Sequence, residues 1–373
     1  HITQCAALKQ HNQLLIDKVS IKNLELLRPL NTEQKQGSLY WVVNKTKTTM
    51  GARLLKKWLK QPLNNTTLIN KRLDSVESLK TDLLSREEIR ELLQGIYDLE
   101  RLLARIASDY HNPRDLIALR DSLHCIFDLA SILLQTDSPR LREMADFIVQ
   151  TASPEHPFHH IVTLINKALC DPAPLSISQV NFIKDGYNSD LDDLKQSFKD
   201  IKDWIASLEE KEREATGIKT LRVGFNKVFG YFFQVSKGQT DAVPEHYMRK
   251  QTLTNAERYI TAELKEKETI LLHGEEKQLQ LEQDLYKTLV ESINQHIALL
   301  QECASLIAEL DCYQAAATLA QQSNYCRPEF NQDDDTYIHL TQSRHPVLDK
   351  QQPQQTVAND ITLTKQKHIL LIT

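Results

Sequence analysis

The chain has 373 residues and a net charge of −5, with 41% of its residues hydrophobic and 25% charged. This length predicts more than one domain, and the apolar content is sufficient for real cores. No apolar run approaches a transmembrane length and no signal peptide is visible, which argues against a membrane-spanning or secreted protein. The six cysteines show no C-x-x-C and no metal-ligand spacing, so we expect reduced thiols in a cytoplasmic protein.

The first half of the chain is predicted to be mostly helical. Helical spacing and good helix formers predict helices at residues 51–60, 68–81, 86–107, 113–135, 139–151 and 160–169. A proline-rich break follows, and residues 175–183 are predicted to form a short strand or hairpin. His156, His159 and His160 cluster before this break. No acidic or cysteine partner has ligand spacing, so we favour a loop between helices over a metal site.

A long amphipathic helix is predicted next. Apolar residues recur at steps of three and four from Leu191 through Phe198 and Ile205 to Leu208, which is the spacing of a coiled-coil seam. A run of charged residues follows, and Gly217 stands where a helix C-cap favours the left-handed conformation. The pattern therefore predicts a helix that packs against a second helix and ends at Gly217.

Residues 217–259, here called the basic segment, differ from the rest of the chain. They hold four of the nine glycines and seven of the 24 aromatic residues. Seven lysines and arginines stand against three acidic residues, a charge of +4 in a chain whose net charge is −5. A small basic and aromatic unit within an acidic helical chain is typical of a module that binds a polyanion, of which nucleic acid is the obvious candidate.

The basic segment is predicted to begin as a β-hairpin. Residues 221–225 and 228–235 are rich in β-branched and aromatic residues, and Asn226 and Lys227 between them form a short predicted turn. Residues 236–239 are predicted to form a second turn. Most of the aromatic side chains are expected to form the small core of this sheet.

A second long helix is predicted to follow the sheet. Thr254 and Glu257 match the T-x-x-E capping box, and residues 255–322 contain no proline and only one glycine. The chain would then run out along one helix, form a β unit and return along another. The basic segment would lie at the end of an antiparallel helical arm, in a mainly α protein whose last part, from about residue 326, is β-rich.

Several side chains of the basic segment are candidates for phosphate binding. Lys227 and Lys237 fall in predicted turns, whereas Arg249, Lys250 and Arg258 flank the predicted start of the returning helix. Free N–H groups at a helix N-terminus attract anions. The polar residues at that predicted helix start are Thr252, Thr254 and Asn255. An ordinary solvated charged surface is the alternative interpretation of the same residues.

These residues also carry a resemblance to a known family. The runs LRVGFNKVFGYFFQVSKGQ and YMRKQTLTNAERYITAELKEKE resemble the clamp region of the DNA mismatch repair protein MutS family. Residues 48–63, 98–107 and 185–194 resemble the core of the same family, and residues 343–348 and 357–363 resemble the start of its ATPase domain. Thr254 departs from the pattern, because family members often have lysine at this position.

The resemblance implies a domain order and a set of contacts. It implies the end of a connector domain over 1–24, a core or lever over 25–201, a clamp over 202–261, a second lever part over 262–325 and the first ATPase strands over 326–373. It implies double-stranded DNA as the ligand, with no membrane association. The implied DNA-contacting residues are Asn226, Lys227, Ser236, Lys237, Gln239, Arg249, Lys250, Thr252, Asn255 and Arg258.

The whole family protein is expected to be a homodimeric, nucleoid-associated ATPase that uses ATP and magnesium and meets a MutL-type partner. This sequence contains no G-x-x-x-x-G-K-[ST] motif, so we expect a fragment with no cofactor and no ATPase activity. No counterpart of the mismatch-reading Phe and Glu is present, so we expect no preference for mismatched duplexes. The alternatives are a coiled-coil scaffold that binds a protein at its tip and a catalytic ATPase fragment. The missing motif disfavours the second.

Overall fold

The computed structural model describes residues 12–31, 34–108, 110–152, 156–226, 230–331, 337–367, 369 and 370. The chain divides into two compact units. Residues 1–110, 118–162 and 295–373 form the first, and residues 111–117 and 163–294 form the second. The domain boundaries that the sequence predicts stay a prediction.

The described chain is mainly helical, as predicted. The helices are α1 (Lys18–Asn23), α2 (Leu39–Val43), α3 (Thr49–Lys60), α4 (Thr66–Thr81), α5 (Leu83–Gln94), α6 (Leu99–Ala107), α7 (Pro113–Leu133), α8 (Pro139–Ala152), α9 (Pro157–Ala168), α10 (Ser189–Thr216), α11 (Ala262–Asn294), α12 (Ile297–Gln322) and α13 (Pro346–Gln351). The strands are β1 (Arg222–Asn226), β2 (Gly230–Ser236), β3 (Met248–Thr252), β4 (Ala256–Ile260), β5 (Ile338–Ser343) and β6 (Asn359–Leu363). No helix within the described ranges is both long and apolar enough to cross a membrane.

The first unit is built around α12, which packs against α3, α4, α5 and α6. Most of the second half of α12 is buried on all sides, as expected for a helix at the centre of a bundle. The chain after α12 forms the antiparallel pair β5–β6 with α13 between the two strands. The predicted β-rich end of the chain is therefore confirmed.

Asp311 on α12 is a buried carboxylate that fixes the start of α3. Its oxygens accept hydrogen bonds from the backbone N–H of Lys47 at 2.8 Å, from the backbone N–H of Thr48 at 2.7 Å and from the Thr48 hydroxyl at 2.6 Å. Gln314 donates a fourth at 2.6 Å. Thr48 in turn caps α3 by accepting from the N–H of Gly51. These bonds satisfy donors that a helix N-terminus would otherwise leave unpaired.

The predicted single helix over residues 86–107 is wrong, because Asp98 interrupts it. Asp98 accepts a hydrogen bond from the N–H of Arg101 at 3.3 Å and so starts α6 as a separate helix. Its two oxygens also accept hydrogen bonds from the guanidinium of Arg53, at 2.6 and 2.7 Å, and one of them accepts a hydrogen bond from the Thr49 hydroxyl at 2.8 Å. The Arg53 hydrogen bonds lower the pKa of Asp98 to about 2.

In the second unit, α10 and α11 pack against each other. The predicted seam of α10 is confirmed, because Leu191, Phe198, Ile205 and Leu208 are all buried. Gly217 ends α10 in the left-handed conformation, with φ of 71°, as its position predicts. The two helices approach closely at Gly274, where a Cβ atom would lie 2.0 Å from Cε1 of Phe198.

Strands β1 to β4 form a four-stranded antiparallel sheet in the order β1-β2-β4-β3. The predicted hairpin corresponds to β1 and β2, whereas the second predicted turn is part of a 3-10 helix, Lys237–Ala242. The sheet is joined to the last two turns of α10 by two side chains of that helix. Arg213 donates to the carbonyl of Leu221 at 2.7 Å, and Glu209 accepts from the N–H of Val223 at 3.0 Å.

The helix predicted over residues 255–322 is wrong at its start and in its middle. Residues 256–260 form β4, because they pair with β2 on one side and β3 on the other. Glu257 lies opposite Thr252 and Val235, so the T-x-x-E pattern marks no helix start. Helix α11 begins at Ala262 and is capped by the Thr261 hydroxyl, and a break separates it from α12.

The predicted strand or hairpin over residues 175–183 is also wrong, apart from one bridge between Leu169 and Ile183. Glu282 on α11 is fully buried, and its two oxygens accept the N–H groups of Asn181 and Phe182 at 3.0 Å each. These backbone donors are thus bonded to a side chain rather than to a partner strand.

We predict that Asp311→Ala destabilises the first unit by about 3 kcal/mol, because it leaves two buried backbone N–H groups without an acceptor. Urea unfolding followed by circular dichroism measures this. Glu302→Ala removes an exposed carboxylate from the same helix and is the control, with an expected change below about 0.5 kcal/mol. Equal effects of the two substitutions would contradict the role of Asp311.

We predict that Asp98→Asn lowers stability in a pH-dependent way. A folded pKa of about 2 lies below the reference value of 3.8, so the stabilisation is present above pH 4 and lost as the pH falls towards 2. The difference from wild type is expected to be about 2 kcal/mol at pH 7 and about 1 kcal/mol at pH 3. Urea titrations at the two pH values test this, and a difference independent of pH would refute it.

Candidate nucleic-acid interface

One face of the four-stranded sheet packs into the hydrophobic core of the second unit. Because side chains alternate across a strand, every second residue of each strand points the same way. Phe233 and Val235 of β2 and Tyr259 of β4 are buried in one apolar cluster with Ile205 and Leu208 of α10. We call this side of the sheet the inner face and the opposite side the outer face.

A row of four polar residues crosses the outer face. Arg222 of β1 pairs with Gln234 of β2, Gln234 pairs with Arg258 of β4, and Arg258 pairs with Gln251 of β3. Neighbouring strands lie about 4.8 Å apart, so the row places two arginines and two amides along a line perpendicular to the strands. We call these four residues the outer row.

Arg258 is the most firmly held member of the outer row. Its guanidinium carbon lies 4.1 Å from the ring centroid of Phe232. Its N–H groups donate to Oε1 of Gln251 at 2.9 Å and to Oε1 of Gln234 at 3.4 Å. A guanidinium can only donate, so both amides must turn their oxygens towards it. Their NH₂ groups are then directed away from Arg258 and can donate to another acceptor.

Phe232 supports Arg258 because Gly224 leaves room for its ring. The two residues are cross-strand partners, and a Cβ atom on Gly224 would lie 2.8 Å from Cε2 and Cζ of Phe232. The ring therefore lies against the bare backbone of β1 and is only 7% exposed, although it is on the outer face. An aromatic ring across a strand glycine is a known means of fixing register.

Two acidic residues that bond side chains of the sheet unit, Glu257 and Glu212, lie on its inner side. Glu257 alternates with Arg258 and accepts from Arg249 at 3.3 Å and from the Tyr259 hydroxyl at 2.6 Å. Burial and Glu257 together raise the pKa of Tyr259 to about 12. Glu212 of α10 accepts from the Tyr247 hydroxyl at 2.6 Å. Among the described strand residues, the outer face carries no carboxylate.

Several predicted site residues lie close together at the end of the sheet where β2 ends and β3 turns into β4. The N–H of Lys237 donates to the carbonyl of Asn255 at 3.2 Å, which joins the end of β2 to the β3–β4 turn. The Ser236 hydroxyl donates to that of Thr220 at 2.8 Å, and the Thr220 hydroxyl donates to Gln239 at 2.6 Å. Ser236 points to the same face of β2 as Gln234, so this bonded group lies beside the outer row.

The other predicted residues are more scattered. Asn226 pairs with Gly230 at the opposite end of the sheet, and Lys227 lies outside the described residues. Arg249 is on the inner side of β3 beside Glu257, and Lys250 lies at a shift of the β3–β4 register. Arg258 is in the outer row.

The predicted anion site at a helix N-terminus is wrong in its structural basis. Thr252 ends β3, and Asn255 lies in the turn that leads into β4. The free N–H groups and the dipole of a helix start are therefore absent from these two residues. They stay candidates only as exposed polar side chains, of which Asn255 is bonded through its backbone to Lys237.

Three members of the outer row were missed as site residues, namely Arg222, Gln234 and Gln251. The alternation in β2 was a usable signal, because Gln234 lies between the buried Phe233 and Val235. No group of histidine, cysteine or acidic side chains suited to a metal is found among the described residues. The expected loop at the histidine cluster is wrong for His159, which lies in α9, whereas His160 lies in the same helix, as the predicted helix over residues 160–169 requires.

Comparison with known proteins places this geometry in a family context. A family profile described as MutS domain III matches residues 19–317. A DNA mismatch repair protein MutS of Listeria monocytogenes serotype 4a is 42% identical over the whole chain, and the chain covers 43% of that protein. MutS proteins of Oceanobacillus iheyensis and Bacillus subtilis are each 40% identical, and the chain covers 42% of each. The chain thus spans less than half the length of the curated relatives it matches.

We predict that Gly224→Ala disturbs the outer face more than the inner core. The added methyl group would meet the Phe232 ring at 2.8 Å, so the ring and the Arg258 guanidinium above it must move. Hydrogen exchange of the β1–β2 amides should rise by about tenfold, which corresponds to roughly 1.4 kcal/mol of local stability. Gly238→Ala meets no atom within 4 Å and is the control. Unchanged exchange in Gly224→Ala would contradict the packing described here.

Proposed function

The chain belongs to the MutS family of DNA mismatch repair proteins, and from this we propose that its four-stranded sheet binds the phosphate backbone of duplex DNA without reading base sequence. The observation that carries the proposal is the outer row, in which Arg222 and Arg258 alternate with two amides on a face without carboxylates among its described strand residues. Arginine and glutamine side chains are common phosphate ligands, and phosphate contacts carry no sequence information directly.

The distribution of charge supports the same proposal. The basic segment carries +4 although the whole chain carries −5. A basic surface on an otherwise acidic molecule directs a polyanion to one place and repels it elsewhere. Lys237 and Asn255 at the end of the sheet extend the surface beyond the outer row, and the remaining predicted residues are proposed as further contacts.

The proposal extends to the whole protein only through the family. We propose that the whole protein is a homodimeric ATPase of the cytoplasm, associated with the nucleoid, that couples DNA binding to nucleotide binding and meets a MutL-type partner. This sequence has no phosphate-loop motif, so we propose that residues outside it hold ATP and magnesium in the whole protein. The proposed role of this chain is to hold DNA and to connect that contact to the nucleotide-binding part.

One contact in the first unit supports a link to the nucleotide-binding part. Lys350 of α13 lies 3.9 Å from the ring centroid of Trp41 on α2 and donates to the Trp41 carbonyl at 2.9 Å. Helix α13 stands between β5 and β6, in the region whose sequence resembles the start of the ATPase domain. This contact fastens that region to the helices of the first unit.

We predict weak duplex binding that falls steeply with salt, measured by fluorescence anisotropy at several salt concentrations. Each phosphate contact contributes about 0.9 to the log–log slope. The double variant Arg222→Gln with Arg258→Gln should therefore flatten the slope by about 1.8 if each arginine makes one contact. The double variant Arg249→Ala with Lys250→Ala should also lower affinity and flatten the slope. The change in slope should be smaller than for the outer-row variant if Arg249 keeps its ion pair with Glu257 when DNA binds.

The matched control is Lys199→Gln with Lys202→Gln, which removes the same charge from exposed positions on α10. This control should leave the slope unchanged. Matched and mismatched duplexes should bind equally. If the slope changes as much in the control as in the outer-row variant, Arg222 and Arg258 are not specific phosphate contacts. Salt-independent binding, or none at all, would favour a scaffold that binds protein.

A further inference from the structure

A cavity of about 240 Å³ is lined entirely by residues of the first unit. Helices α4, α8 and α12 supply its polar lining, and leucines close part of its wall. The polar lining residues are Lys71, Arg72, Arg140, Glu143, Glu309 and Tyr313. Three of these are cationic and two are acidic, so the lining has one positive charge in excess.

The two acidic residues are already bonded to one arginine. Arg140 donates to both oxygens of Glu309, at 2.7 and 3.2 Å, and to Glu143 at 3.0 Å. Tyr313 donates its hydroxyl to the same Glu309. Arg140 with these two carboxylates sums to a charge of −1, whereas Lys71 and Arg72 together carry +2, which gives the excess of +1 in the lining. The excess charge therefore belongs to Lys71 and Arg72.

Arg72 is positioned but not neutralised. Its guanidinium carbon lies 3.6 Å from the ring centroid of Trp58, which holds the planar group against the ring. The side chain is half-buried, and no carboxylate oxygen of the described residues lies within 4.0 Å of it. Burial lowers the pKa of Arg72, an effect that Tyr313 and Glu309 only partly oppose. A half-buried cation without a counter-ion is costly, which favours the entry of an anion.

We propose that this cavity binds a small phosphate-type oxyanion through Arg72, with Lys71 as a second cation. Guanidinium groups bind phosphate oxygens with paired N–H donors, and the stack on Trp58 fixes the plane of those donors in advance. The cavity volume of about 240 Å³ lies below the roughly 300 Å³ at which sites for drug-sized organic ligands begin. The ligand is therefore the size of inorganic phosphate with its hydration, and smaller than a nucleotide.

The test is isothermal titration calorimetry with inorganic phosphate, at an ionic strength held constant with chloride. The intact chain should give saturable heat with a Kd of about 1 mM or tighter. Arg72→Gln should weaken binding at least tenfold. Arg72→Lys keeps the charge but loses the planar fork, and should weaken it severalfold. Arg101→Gln removes a charge from a side chain that is 74% exposed on the same unit, and should bind as the wild type does.

The fluorescence of Trp58 provides an independent readout, because phosphate would bind to the group stacked on its ring. Phosphate should change the emission of the wild type and of Trp41→Phe, and not that of Trp58→Phe. Circular dichroism shows whether each variant is folded. If Arg72→Gln does not fold, Arg72→Lys replaces it as the variant that tests the binding site. No saturable heat up to 10 mM phosphate (about tenfold above the expected Kd), or equal heat in wild type and both Arg72 variants, would overturn the proposal.

Discussion

The second unit depends on one constraint, which is that its small sheet cannot be stable unless one face is buried against the two helices that carry it. Four short strands have too little apolar area to form an independent domain. Phe233 and Val235 join the seam residues Ile205 and Leu208 in one core, so sheet and helices are a single packed body. Because strand side chains alternate, burying this face directs the intervening residues outwards. The outer row is a geometric consequence of how the sheet is anchored.

The same alternation separates charges by sign. Glu257 and Arg258 are neighbours in sequence but lie on opposite faces, so the carboxylate bonds Tyr259 and Arg249 while the guanidinium rests on Phe232. Both units also use carboxylates to hold backbone. Asp311 bonds the chain before α3, and Glu282 bonds the chain at Asn181 and Phe182. In each case the acidic group replaces a backbone partner that secondary structure does not supply.

The sequence predicted the elements whose signals are local. The seam from Leu191 to Leu208, the cap at Gly217 and the first hairpin follow from spacing and residue type alone. Strand β3 was missed because Met248–Thr252 is mostly exposed and has no apolar alternation. Its only strand signal is its pairing with β4, which is tertiary and overrides the helix propensity of the same residues. The site was therefore predicted as a set of basic residues, but its order in a row needed the register of four strands. The cavity that Arg72 lines could not be predicted from the sequence, because its polar lining comes from three helices that are far apart in the chain.

The contact between Phe198 and Gly274 determines how the two helices of the second unit can deform. Sliding α11 along α10 by about one turn, or 5.4 Å, would place a larger side chain of the same helix face, such as Leu271 or Gln278, where the Phe198 ring now meets bare backbone. Axial shear is therefore resisted by steric overlap, whereas a gentle curvature shared by both helices needs no such overlap. A force applied at the sheet would therefore bend α10 and α11 together, because the contact between Phe198 and Gly274 keeps the two helices from sliding past each other.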